Sequence, residues 1–165
     1  MPRCLFAAML IPMPVPQIRI PSSLSFDATL FATAKAALKS ARATIANCIN
    51  AEPEEIYFTS GGTESNNWAI KGIAKANREK GKHIITSFLE HSSVTGPLSY
   101  LQEKGYEVDY VNLRPDGRID LEQLKTSITK NTKLVSIQSF NSEIGITQDM
   151  KRISEIVRKH NGVLL

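Results

Sequence analysis

Residues 55–72 read EIYFTSGGTESNNWAIKG, and the hydrophobic period changes partway along them. The opening EIYFT is rich in β-forming side chains and predicts a short strand after the break at Pro53. From about residue 64 to residue 77 apolar side chains return at helical steps, with Ala69, Ile70, Ile73 and Ala76 inward and Gly81 closing the helix. The turn SGGTES therefore sets a helix start at the end of a strand. The N–H groups of a first helical turn lack partners within the helix, and the helix dipole adds positive potential there. Gly61 and Gly62 let a bulky anion approach the backbone, and Ser60 and Thr63 add hydroxyl donors. Such a turn suits a phosphate. A tight turn capped by Thr63 uses the same residues, so both readings stand at this point. No Gly-Lys-Ser/Thr follows, which argues against the phosphate loop of nucleotide hydrolases.

Strand and helix alternate outward from this turn. Upstream, Ala34, Ala37, Leu38, Ala41, Ile45, Cys48 and Ile49 form one apolar helical face from about residue 33, on which Cys48 is expected to pack. Downstream, HIITS at 83–87 is a strand. A helix follows from about Val94, with Pro97 in its first turn and Val94, Leu98 and Leu101 as its buried stripe. Residues 106–111 predict a third strand, 121–128 a short helix, and 133–140, KLVSIQSF, a fourth strand. Asp149 caps a helix whose Met150, Ile153, Ile156, Val157 and His160 face the core, His160 as a structural residue. Asn161-Gly162 then turns into 163–165, the opening of a fifth strand.

This order predicts an α/β fold with a mostly parallel sheet. Ligands of such sheets bind beyond the carboxyl ends of the strands, which singles out 60–67, 89–92 and 141–145. His91 in the second stretch can stack on a planar ligand or move a proton near neutral pH, or it can be a solvated loop residue. In the third, the amide of Asn141 and the hydroxyl of Ser142 suit a ligand oxygen, and Gly145 suits a turn.

Composition narrows the functional classes. Twenty basic against sixteen acidic residues give a net charge of +4, and no Lys/Arg run is present, so neither nucleic acid nor a membrane is an expected partner. The two cysteines, Cys4 and Cys48, make neither a disulfide framework nor a zinc pattern, which favours a reducing, cytoplasmic setting. Residues 1–26 hold four prolines between Pro12 and Pro21 and no acidic residue. An unstructured leader is the expectation for them, with organellar targeting as the alternative.

Several stretches together resemble one family. PEEIYFTSGGTESNNWAIKG (53–72), GKHIITSFLEHSSV (81–94), DGRIDLEQL (116–124) and KLVSIQSFNSEIGITQD (133–149) are similar, in order and spacing, to class V aminotransferase-type enzymes. The similarity is to the cysteine desulfurase and selenocysteine lyase branch, and it covers residues 33–165. It implies part of the large domain of the type I pyridoxal-phosphate fold, an incomplete three-layer α/β/α sandwich, with residues 1–32 as an unrelated leader. It implies the cofactor pyridoxal 5'-phosphate, held at its phosphate by Gly62 and Thr63 and at its ring by His91, which also assists proton transfer. Asn141 and Ser142 fall where the family carries two asparagines, one of which contacts the cofactor's ring oxygen or the substrate. The implied activity takes sulfur (or selenium) from cysteine (or selenocysteine) and leaves alanine. The implied partners are a second copy of the chain and a sulfur acceptor or iron–sulfur scaffold protein.

Three further residues of that family have no assignable counterpart: the lysine that carries the cofactor, the aspartate that pairs with the ring nitrogen, and the nucleophilic cysteine of a mobile loop. Neither Cys4 nor Cys48 matches the nucleophile, and the family's aspartate would follow the strand opened at 163. Two expectations remain open, a piece of a working enzyme or a catalytically inactive binder of the cofactor or of a partner; another class V transaminase is the alternative within enzymes. A sheet cut at 165 exposes edge and apolar surface. The isolated chain is therefore expected to be poorly soluble or partly unfolded, and a sharp cooperative melt of a monomer would contradict this.

Overall fold

Helices and strands alternate in the computed structural model, which describes residues 28–165; the expectations for Cys4 and for the leader at 1–26 lie outside the described residues. The chain divides into two compact units, one ending at Ser65 and one spanning Asn66–Leu165.

In the first unit α1 runs Ala28–Ile49. Its contact side carries Arg42 and the buried Ala46 and takes in only part of the predicted apolar face: Ala41, Ile45 and Ile49 are half-buried, whereas Ala34, Ala37, Leu38 and Cys48 are exposed. Two helical positions differ by about 200° around the axis, so burying Ala46 turns Cys48 outward. Arg42 explains which side is inward. Its Nε donates to the carbonyl of Ile56 at 2.9 Å, and its guanidinium lies 5.4 Å from the Phe58 ring centroid. The strand expected at 55–59 does not form. A 3₁₀ turn occupies Pro53–Glu55, closed by the Glu52 N–H donating to Glu55 Oε2 at 2.9 Å, and the chain continues extended at Ile56 without a ladder partner. Helix α2, Gly62–Asn77, begins in this unit and continues into the next.

The second unit is built on β1 (His83–Ser87), β2 (Glu107–Val111) and β3 (Thr132–Val135). All pairing is parallel, in the spatial order β2-β1-β3. A parallel bridge joins Leu134 to Leu164 on the far side of β3, so the strand opening expected at 163–165 is present as a single bridge. Side chains alternate across the sheet. Ile84, Val108 and Leu134 pack in one cluster with Ile70 and Ala74 of α2 and with Val94, Leu98 and Leu101 of α3 (Ser92–Glu103). Ile85, Val111 and Val135 pack on the other face with Leu124 of α4 (Leu121–Ser127) and with Ile153 and Val157 of α5 (Met150–Arg158). Helices thus cover both faces, the three-layer arrangement expected from the sequence.

Two boundaries differ from the sequence reading. Pro97 sits in the second turn of α3, which starts at Ser92. The long fourth strand is cut short: β3 stops at Val135, and Ser136 N–H still reaches Ile85 O at 2.8 Å before the chain leaves the sheet. Phe140–Asn141 (β4) then pairs antiparallel with Ile146–Thr147 (β5). The residues keep their β-forming composition, but the chain leaves β1 after Ser136, although β1 itself continues to Ser87 beside β2.

At the opposite, amino end of the sheet the buried His83 ties three strands. Its Nδ1 lies 2.7 Å from Thr132 Oγ1, and its Nε2 lies 3.2 Å from Asp109 Oδ2 without the geometry of a hydrogen bond. Nearby, a Cβ on Gly81 would collide with the carbonyl group of Asn131 and the Lys133 side chain. Gly72 in α2 has open space around its missing Cβ. Gly81→Ala is expected to destabilise the fold by about 1–3 kcal/mol, whereas Gly72→Ala should stabilise it by about 0.5–1 kcal/mol. Denaturant melts of the two variants should move in opposite directions.

Candidate functional site

The order β2-β1-β3 reverses direction at β1. The crossover from β1 to β2 runs over one face through α3, and the return to β3 runs over the other through α4. A crevice opens at such a reversal, between the carboxyl ends of β1 and β3. The segments leaving those two ends are Ser87–Leu89–His91 and Ser136–Gln138–Asn141, and they are stitched together. Thr86 Oγ1 donates to Ser136 O at 3.1 Å. Glu90 Oε1 accepts from Ser87 Oγ at 3.1 Å and from the Gln138 N–H at 2.6 Å. Asn141 Nδ2 donates to Leu89 O at 3.0 Å.

His91 stands at this crevice as the cap of α3. Its Nδ1 accepts the Ser93 N–H at 3.1 Å, and the ring is exposed. Asn141 is buried, and its Oδ1 accepts from the N–H groups of Glu143 and Ile144 at 2.9 and 3.1 Å. Its side chain is therefore committed to shaping the β4–β5 hairpin and fastening it to the loop after β1. Ser142, next in the chain, is exposed, and Gly145 completes the hairpin turn at φ +69°. So the structure brings His91, Asn141 and Ser142 to one end of the sheet, with Asn141 inside and the other two outside.

Gly62 and Thr63 lie in the first unit, at the first two positions of α2. Gly62 is half-buried and Thr63 exposed, and a Cβ on Gly61 would meet no atom within 4 Å. Both donors of Ser60, N–H and hydroxyl, reach Glu64 Oε2 at 2.7 Å. The Ser60 N–H, and then its hydroxyl, hold the Glu64 carboxyl below its ordinary range. The turn thus already carries a carboxylate on Ser60, which shows that its donors accept an anion. Open space around the missing Cβ of Gly61 leaves room for a phosphate. Taken separately, the open glycine turn of the first unit suits a phosphate, and the exposed imidazole of the second unit suits the ring of a pyridoxal cofactor.

The sequence reading missed Glu90, Gln138, Asn66 and Ser93. Glu90 was visible only as the neighbour of His91, and its role depends on a partner 48 residues away. Ser93, two residues past a helix cap, carried a local signal obscured because histidine is an uncommon cap.

A parallel α/β sheet with an exposed histidine near the carboxyl end of its central strand is a common platform for a ligand site. The family model for aminotransferase class-V matches residues 24–165, and the chain belongs to that family. Among curated proteins it is 48% identical over 128 residues to cysteine desulfurase IscS of Methanosarcina thermophila, a match that covers 78% of this chain and 32% of that protein. Among solved structures, a NifS-like protein superposes with a TM-score of 0.78 at 35% identity, covering 82% of this chain and 37% of that one. SspA in complex with cysteine superposes at 0.75 with 36% identity, covering 83% and 40%. The chain thus spans about a third of the length of the curated relatives it matches.

Burial raises the Glu90 carboxyl above its ordinary range, offset in part by the Gln138 N–H and the Ser87 hydroxyl. The folded protein therefore holds this proton more tightly than the unfolded chain does. The associated stability is complete below about pH 4.5 and is lost as pH rises through the raised folded value. Glu90→Gln keeps an acceptor for the Gln138 N–H and removes the charge, so it should flatten this fall and melt no lower than the parent at pH 7. Glu90→Ala leaves that N–H unpaired and should cost about 1–3 kcal/mol. Equal destabilisation of both variants at pH 7 would contradict the assignment.

Proposed function

We propose that this chain is part of a pyridoxal-phosphate-dependent cysteine desulfurase, which removes sulfur (or selenium) from L-cysteine (or selenocysteine) and leaves alanine. The observation that carries the reading is the exposed His91, held through its Nδ1 at the switch point of a sheet whose relatives are cysteine desulfurases. Residues 33–165 supply part of the cofactor-binding domain. Gly62 and Thr63, with the open space at Gly61, hold the phosphate at the start of α2. The imidazole of His91 lies against the ring and assists proton transfer there by presenting its Nε2–H outward as a donor, its Nδ1 being engaged by the Ser93 N–H. Asn141 acts by placing the hairpin, and Ser142, exposed at its start, is the side chain that reaches a ring oxygen or the substrate. Pyridoxal phosphate, when bound, supplies an electron sink for bonds at the substrate Cα.

Further elements of the proposal rest on the same relatives: a homodimeric enzyme of the cytoplasm that hands sulfur to an acceptor or an iron–sulfur scaffold protein. Among the described residues no helix is long and apolar enough to cross a membrane.

The test is alanine formation from L-cysteine and from selenocysteine by the full gene product supplied with pyridoxal phosphate. Thr63→Val should weaken cofactor binding, measured by equilibrium dialysis, and inorganic phosphate should compete for the parent site. His91→Ala should lower kcat by about 10²-fold or more, the scale of a positioned proton-transfer group. No saturable cofactor binding, together with no alanine from either amino acid, would sink the proposal.

A further inference from the structure

His91 Nδ1 has two neighbours on α3 and its flank, both from Ser93. The Ser93 N–H approaches Nδ1 at 3.1 Å, and the Ser93 Oγ lies 2.9 Å from the same nitrogen. A backbone N–H can only donate, so Nδ1 presents its lone pair. The Ser93 hydroxyl, facing that lone pair, must then donate to it. One more residue fixes the direction of the chain: Asn66 Nδ2 donates to Ser93 Oγ at 2.8 Å. The hydroxyl accepts from α2 and donates to the histidine, and Ser93 is buried while the His91 ring is exposed. With Nδ1 occupied as an acceptor, the ring hydrogen of the neutral imidazole sits on Nε2. That nitrogen has no partner among the described residues.

From this geometry we infer that Asn66 and Ser93 form a directed hydrogen-bond relay that fixes His91 in the Nε2–H tautomer with its ring turned outward. They are positioning residues, since they act on ligand only through His91. Fixing the second nitrogen by its hydrogen bond is the general way a protein selects one tautomer of a histidine. Both donors to Nδ1 belong to Ser93 of α3, and Asn66 of α2 orients the hydroxyl of that pair, so the packing of α2 against α3 strengthens the hold on one tautomer. The proposal rests on the reading of His91 as the ring-facing imidazole.

The test is the ¹⁵N spectrum of the imidazoles in the full gene product at neutral pH, without added cofactor, with His91→Ala assigning the signal among His83, His91 and His160. The parent should show the Nε2–H pattern at His91. Asn66→Ala and Ser93→Ala should each raise the Nδ1–H population, and Ser93→Thr, which keeps the hydroxyl, should restore the parent pattern. An Nδ1–H tautomer in the parent, or an unchanged population in both alanine variants, overturns the relay. In parallel, alanine formation from L-cysteine should show kcat down about tenfold in Ser93→Ala with KM little changed, within the range of a proton-transfer group displaced from its best geometry. An unchanged kcat in Ser93→Ala also counts against the relay. An inactive parent that nevertheless shows the expected tautomer pattern would refute the proposed activity and leave the relay standing.

Discussion

Strand β1 is buried at each of its five residues, and the parallel pairing on both of its sides organises the second unit. A central strand with apolar clusters on both faces cannot slip by one residue without exchanging its two sets of side chains. Ile84 belongs to the cluster under α2 and α3, and Ile85 to the cluster under α4 and α5. Once that register is set, the carboxyl ends of β1 and β3 must diverge at one place, because the chain goes to β2 on one side before returning to β3 on the other. The crevice is a consequence of topology, and His91 and Ser142 stand exposed at that end of the sheet.

What keeps the crevice in shape is polar. Thr86, Glu90 and Asn141 each bridge the segment after β1 to the segment after β3. These bonds join stretches that are not themselves regular structure and so have no ladder to hold them. The half-buried Glu90 carboxylate is the most demanding of them, since burial works against its charge and two donors work for it. By satisfying the Gln138 N–H, it holds in place the loop that presents His91. The amino end of the sheet has its own polar tie in His83, 3% exposed and in contact with Thr132.

The relay from Asn66 through Ser93 to His91 shows how a helix-packing contact becomes a statement about chemistry. The stretch of α2 that carries Ile70 and Ala74 into the core also carries Asn66 to the start of α3.

Much of this was legible in the sequence. Helical and alternating periods gave α2 through α5 and β1 through β3 in the right order, because most of the second unit's elements bury the faces their patterns predict; in α2 the expected Ala76 is exposed and Ala74 is buried instead. The motifs around Gly62, His91 and Asn141 pointed to the family. Elsewhere local pattern was insufficient. EIYFT has the composition of a strand, but a strand exists only when another lies beside it; residues 136–139 keep that composition too, yet the chain turns away from β1 there. Cys48 lies on an apolar repeat, yet the face of α1 that is buried was chosen by Arg42 reaching the Ile56 carbonyl. The sequence by itself determined which segments are helix or strand and which residue types stand at the strand ends, since those follow from neighbours within a few positions. The tertiary structure alone decided that Asn141 turns inward, tied to the Leu89 carbonyl 52 residues away, while Ser142 stays outside, and that the Ser93 hydroxyl beside His91 is oriented by Asn66, 27 residues away, because those contacts join distant parts of the chain.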